Sequence, residues 1–248
     1  RGLRALRAAG LPAFCVWMFD EPWELMRAMW RRAEAILGAE CVLEPTVAAY
    51  HLNHSAAAQG GNRYIGTNFA LPHRDYTYSD TYDAEGRPQL LTVWVPVCDV
   101  TVDNGCMYVV PREFDANFDR DDGSQHMLVQ HTGWLAGKSY LSFPLAGARP
   151  LAPAPAGTMM AWWGNVIHWG SQCHESAAES SRASVACVFR RADTPSDPDT
   201  PPISFSDAEQ LSLERRRDVV LASMDFFKHW STPWDKANKD LGPTTCRG

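Results

Sequence analysis

A chain of 248 residues with 45% hydrophobic and 21% charged residues is long enough for one sizeable core and too apolar to be disordered. Its net charge of −6 gives no general reason to bind nucleic acid or an anionic membrane, and no apolar run approaches the ~18–20 residues that span a bilayer. The seven cysteines (Cys15, Cys41, Cys98, Cys106, Cys173, Cys187 and Cys246) form no CxxC pair. That argues against a zinc ribbon or a thioredoxin-like motif and for a reduced, intracellular and cytoplasmic protein. Because the sequence begins at Arg1, an organelle-targeting segment stays open.

In chain order, the first clear element is a helix from Glu21 to about Leu37, capped by Asp20, with Pro22 in its first turn and Gly38 as its stop. Trp23, Met26, Met29, Trp30, Ala33, Ile36 and Leu37 recur at three and four residues, one apolar face suited to packing on a sheet. From Cys41 the pattern turns to short β-rich runs: Val42–Leu52, Leu90–Val97, Cys106–Val110, Met127–Gln130, Thr158–Trp163, Val166–Trp169 and Ala183–Arg190. Gly, Pro, Asn or Asp bounds each run, and Asn104-Gly105 suits a hairpin turn joining the Trp94 strand to the Met107 strand. Many short strands without interleaved helices predict a mainly β sandwich or jelly roll.

The stretch Glu113–Pro155 is too long for a plain connector, so one or two irregular strands and a lid over a site are expected there. Pro195–Pro202 reads as a linker. Ser206 and Glu209 then form a capping box that opens a helix to about Trp230. The whole reads as one domain over 1–248, with a β core at about 42–190 and flanking helices at about 21–37 and 207–230.

The chemistry starts at Leu71-Pro72-His73-Arg74-Asp75. In a strand, residues i and i+2 share a face, so His73 and Asp75 can offer an imidazole nitrogen and a carboxylate oxygen to one metal, although a single HxD also arises by chance. Two His and one carboxylate on one face of an octahedral metal mark non-haem iron(II) oxygenases. His168 is the best candidate for the third ligand: a Gly157-led strand, a tight turn at Gly164-Asn165 and a second short strand would carry it back beside the first. Taken alone, His168 reads equally well as a packed histidine among aromatics. Arg182, 14 residues further on, opens an apolar strand. Its planar fork suits a carboxylate, whereas a lone strand-end Arg is as readily a solvated one.

The string Asp99-Val100-Thr101-Val102-Asp103-Asn104-Gly105-Cys106-Met107-Tyr108-Val109-Val110-Pro111 resembles the phytanoyl-CoA dioxygenase family. The pattern of that family is an HxD, a strand with Trp, D-V-T-x-x-N-G-x-[LM]-x-V-[VI]-P, a distal His and an Arg, and all five occur here in order between about Val42 and Phe189. The resemblance implies a double-stranded β-helix (a cupin-like jelly roll), Fe(II) held by His73, Asp75 and His168, and 2-oxoglutarate paired with Arg182. It implies an iron- and 2-oxoglutarate-dependent dioxygenase that hydroxylates a C–H bond of a small organic substrate, with succinate and carbon dioxide as co-products and ascorbate as reductant in vitro. Where the family continues after the Pro as Gly-Ser-His, this chain has Arg112-Glu113-Phe114, a change that bears on lid or substrate. Asp75 argues against a halogenase, in which a small residue replaces the carboxylate.

Further contacts follow from position. Thr92, Ser171 and Tyr50 are candidate cosubstrate contacts; Arg74, Tyr76, Tyr78, Trp94 and Asn53 are candidates to meet substrate or wall the pocket, with core packing or a solvated loop equally open for most. His51, His54, His126, His131, His174 and His229 are read as non-ligands. Expected partners are the small substrate and dioxygen, with no nucleic acid, no membrane span, and a monomer or homodimer. The rivals are a cupin-like hydrolase or isomerase using another metal, an inactive binding protein on the same fold, and a protein-modifying hydroxylase.

Overall fold

A computed structural model describes residues 2–52, 72–121, 144–171, 173–174, 177, 182–196 and 198–227. The expected strand Met127–Gln130, most of the expected lid, and Asn53, His54, His126, His131 and His229 lie outside these residues. The strands are β1 (Cys41–Leu43), β2 (Ala48–Leu52), β3 (Leu90–Pro96), β4 (Met107–Val109), β5 (Arg149–Pro150), β6 (Met160–Trp163), β7 (His168–Gly170) and β8 (Arg182–Arg191). They make two antiparallel sheets. The larger runs β1-β8-β3-β6 with β2 also on β8, and the smaller runs β5-β4-β7. The single run expected over Val42–Leu52 is two strands, because Pro45 cannot donate to a ladder and the chain steps there from one half of β8 to the other. No closed barrel is formed by the described residues.

The large sheet owes its two-sidedness to strict alternation. Leu91, Val93 and Val95 of β3, with Val185, Cys187 and Phe189 of β8, join the core beneath the helices. Trp94 of β3 turns the other way and joins Met107 of β4 and Trp162 of β6 in a second cluster between the sheets. The helical layer contains α1 (Gly2–Ala8), a 3-10 turn at Ala13–Met18 and α2 (Asp20–Leu37). Trp30 of α2 packs edge-on against Phe189, ring centroids 5.1 Å apart, and anchors the helix to the sheet. Each such fully buried side chain contributes about 1.5–3 kcal/mol.

Three local expectations are corrected. Asp20 does not cap α2: Phe19 holds the cap position without a side-chain bond, while Asp20 pairs with Arg216 at 2.6 Å. The capping box belongs to Ser204 and Asp207 and opens the short α4 (Phe205–Glu209); a separate α5 (Leu213–Phe226) follows, capped by Ser212. Asn104-Gly105 does not turn a hairpin, since β3 and β4 lie in different sheets. Instead the Asn104 side chain accepts from Thr101 N–H and donates to the Asp99 carbonyl, which shapes the crossover. Gly105 is needed there, with φ 96° and room for no Cβ beside Leu52. The expected linker is tied at its start, where Pro195 O accepts from Arg190 at 3.1 Å, and just past its end Ile203 and Leu43 exchange two backbone hydrogen bonds of 2.8 Å.

Candidate metal centre

His73 and His168 meet where the chain before α3 (Tyr78–Thr81) runs along β7. Their backbones exchange hydrogen bonds, His73 N–H to His168 O at 3.0 Å and His168 N–H to His73 O at 2.9 Å. Two residues on, the Asp75 and Tyr76 N–H groups both donate to Gly164 O, at 3.1 and 3.0 Å. The i, i+2 spacing brings His73 and Asp75 to one side, and the turn before β7 returns His168 to it. The Asp75 Oδ1 atom lies 3.6 Å from the Nε2 of each histidine. All three donor atoms fall within 4.8 Å of one another, the single such cluster among the described residues.

Two cis donors on an octahedral ion at ~2.1 Å stand about 3 Å apart, so a small inward movement closes this set on a metal. Two of the remaining atoms, His168 Nδ1 and Asp75 Oδ2, are already engaged. His168 Nδ1 lies 2.9 Å from Val166 O, which favours the tautomer that leaves Nε2 free for a metal. The Thr92 hydroxyl donates to Asp75 Oδ2 at 2.9 Å, so this cosubstrate candidate orients the carboxylate. Burial pushes the Asp75 pKa up, but the neighbouring His168, the hydrogen bond from His73 and the Thr92 hydroxyl outweigh it and hold it at about 2. His168 is pushed down to about 4, chiefly by burial. At neutral pH the set therefore presents a carboxylate and a neutral His168, as a divalent metal requires.

A cavity of about 90 Å³ opens on the triad, walled by residues that include Tyr50, Tyr76, Thr92, Trp94, Trp162 and Arg182. Arg182 is 2% exposed. Its guanidinium donates to Gly105 O and lies over Trp94 at 5.5 Å, yet its Nε has no hydrogen-bond partner among the described residues. No carboxylate pairs with it among the described residues. Burial lowers its pKa to about 10, so it remains a cation at neutral pH. A buried unpaired cation is costly unless an anion joins it, and the dicarboxylate expected from the sequence fits that need. Gly170 permits the arrangement, because a Cβ there would stand 3.1 Å from the guanidinium.

The other candidates divide. Tyr50, Tyr76 and Trp94 line the cavity, and burial pushes both phenols up. The Ser171 hydroxyl faces the Cys106 thiol at 3.8 Å and is not among the cavity walls. Arg74 points away from the metal into a buried ion pair with Asp115, 2.7 Å between Nη1 and Oδ2. His51 lies within β2, outside the metal cluster. Sequence reading missed Trp162, whose ring sits 4.7 Å from His168, and Phe226 and Phe227, which wall the cavity from the end of α5. The pairing of Thr92 with Trp162 across β3 and β6 is the signal that could have revealed the first.

No helix of the described residues is long and apolar enough to cross a membrane. The family model for phytanoyl-CoA dioxygenase matches residues 13–182, and no curated protein matches the chain. Similar solved structures include the non-heme monooxygenase ThoJ in its apo form, 14% identical over 80% of this chain and 74% of that one, with a TM-score of 0.46. The non-heme alpha-ketoglutarate-dependent epimerase SnoN of nogalamycin biosynthesis is 17% identical over 74% and 66%, with a TM-score of 0.44. EctD from S. alaskensis, solved with 2-oxoglutarate and 5-hydroxyectoine, is 14% identical over 69% and 54%, with a TM-score of 0.43. With more than half of its length matched by the family model, this chain belongs to the phytanoyl-CoA dioxygenase family of iron(II)- and 2-oxoglutarate-dependent oxygenases.

Proposed function

We propose that the protein hydroxylates a C–H bond of a small organic molecule, with His73, Asp75 and His168 as the iron(II) ligands and Arg182 as the anchor of the far carboxylate of 2-oxoglutarate. The observation that carries this reading is the convergence on one cavity of a His-Asp-His donor set and a buried Arg182 that has no carboxylate partner among the described residues. The two sheets are then the halves of one jelly roll in a single domain. When bound, iron(II) and 2-oxoglutarate supply the oxidation, consuming dioxygen and releasing succinate and carbon dioxide.

The chain's own residues have separable tasks. Asp75 and the two imidazoles would hold the metal, a donor set that leaves it open to cosubstrate and dioxygen. Thr92 and the Val166 carbonyl hold Asp75 and His168 in orientation. Arg182 sets the direction from which the cosubstrate enters, and Trp94 and Trp162 exclude water from the space between. Asp75 keeps a carboxylate where a halide-binding site would need a small residue.

Succinate formation on adding iron(II), ascorbate and 2-oxoglutarate, with and without a panel of small organic compounds, tests the reaction. His73→Ala is expected to abolish turnover, and Arg182→Ala to raise the 2-oxoglutarate requirement by about a hundredfold, the worth of a charge-assisted bidentate pair. Wild-type turnover in His73→Ala would sink the ligand assignment, and an unchanged 2-oxoglutarate requirement in Arg182→Ala would sink that of the anchor.

A further inference from the structure

We propose that Arg74 and Asp115 are positioning residues for the metal centre: their buried ion pair clamps the loop carrying His73 and Asp75 against the turn that leads to His168. The inference rests on reading those three residues as the metal ligands.

Arg74 stands between two ligands, and alternation along an extended chain sends its side chain to the opposite side from theirs. There the guanidinium donates to Asp115 Oδ1 at 2.9 Å and to Asn165 O at 2.5 Å, with Nη1 2.7 Å from Asp115 Oδ2. The two side chains are 2% and 4% exposed. Asn165 is fully buried, and its Nδ2 donates to Phe118 O at 2.8 Å. Further along, the Asp121 carboxylate accepts from Tyr78 N–H at 2.8 Å and Ser79 N–H at 2.7 Å. The segment 112–121 is therefore strapped across the ligand loop and tied to the turn between β6 and β7, so that one guanidinium contacts the elements that deliver all three ligands.

Backbone bonds between His73 and His168, and from Gly164 to Asp75 and Tyr76, fix where the two strands meet. They do not by themselves fix the tilt of the loop, and the donors stand 3.6 Å apart where about 3 Å is wanted on an octahedral ion. A planar fork held at both ends limits that tilt. Stability alone is a poor reason to keep such a pair, because apolar replacements of buried ion pairs are often as stable. Orientation is the better one: groups that hold metal ligands from behind typically change metal affinity by about 10–100-fold when removed.

The test uses the metal-free protein titrated with Co(II), read by the visible ligand-field spectrum, with a thermal melt of each variant before metal is added. Asp115→Asn and Arg74→Met are expected to weaken Co(II) binding by about 10–100-fold and to alter the band positions, though no ligand has been removed. Arg74→Lys, which keeps the charge without the fork, should recover part of the affinity and not the wild-type spectrum. Should Arg74→Met fail to fold, Asp115→Asn and Arg74→Lys are read in the same way. Wild-type affinity and a superimposable spectrum in folded Asp115→Asn would overturn the proposal, since a purely structural pair lowers the melting temperature and leaves the bound metal unchanged. Failure of the wild-type protein itself to bind Co(II) would overturn the ligand reading instead.

Discussion

The two faces of the large sheet come from the same strands by alternation, yet they treat identical residue types differently. On the helix side, the indoles of Trp17, Trp23 and Trp30 all donate to backbone carbonyls, of Ala48, Trp17 and Cys41 in turn. On the cavity side, the indole nitrogens of Trp94 and Trp162 and the Nε of Arg182 are buried without a hydrogen-bond partner among the described residues. A core satisfies most of its polar atoms because an unpaired one costs about 1–3 kcal/mol, with Arg216 Nε an exception beside the helices. A face that leaves several without a partner around one cavity, among the described residues, offers polar groups that a bound ligand could satisfy. The helix side carries the packing, and the cavity side carries the proposed site.

The largest effect should come from the helix side. Phe189 is fully buried beneath Trp30, and Phe189→Ala is expected to destabilise the protein by about 3–5 kcal/mol. Chemical denaturation measures this. The folded fraction should keep its metal affinity, because the Phe189 side chain belongs to the core on the helix side of the sheet; a variant that loses metal binding without losing stability would break the division between the faces.

Thr92 is the corresponding probe on the cavity side, where the expected stability change is small and the functional one is not. Thr92→Val keeps the shape and removes the hydroxyl that donates to Asp75 Oδ2. A hydrogen bond to a charged group contributes about 1.5–3 kcal/mol, so metal affinity should fall at least tenfold. Calorimetric titration with a divalent metal decides it, and an unchanged dissociation constant would mean that Thr92 does not orient the carboxylate.

The division between the faces also explains what could be read from sequence. The convergence of His73, Asp75 and His168 was legible because alternation and one tight turn suffice to bring them together, although each alone also has an ordinary packing or loop reading. The fate of Arg74 was not, since its partner Asp115 lies 41 residues away on a segment with no periodic signal. Local punctuation misled where one pattern was offered twice: Ser206 and Glu209 have the spacing of a capping box, but so do Ser204 and Asp207, and the latter pair form it. Asn104-Gly105 has hairpin chemistry, but Asn104 spends its side chain on Thr101 and Asp99 while the flanking strands enter different sheets.

Arg182 gives the smallest and most discriminating effect, because its sign is opposite to that of a core residue. In the absence of ligand it is a buried cation whose guanidinium meets the Gly105 carbonyl, the Met107 sulfur at 3.9 Å and the face of Trp94, with no carboxylate among the described residues. Arg182→Met removes the desolvated charge and keeps comparable volume, at the cost of leaving the Gly105 carbonyl without its donor. Apolar replacement of buried charge is often neutral or stabilising, so the ligand-free variant should be as stable as wild type or more stable by about 1 kcal/mol. Adding 2-oxoglutarate with a divalent metal should then raise the melting temperature of the wild type and not that of the variant, since a ligand stabilises only the state that binds it. A ligand-free variant destabilised by several kcal/mol would make Arg182 a structural residue, and would move it from the cavity side of the comparison to the core.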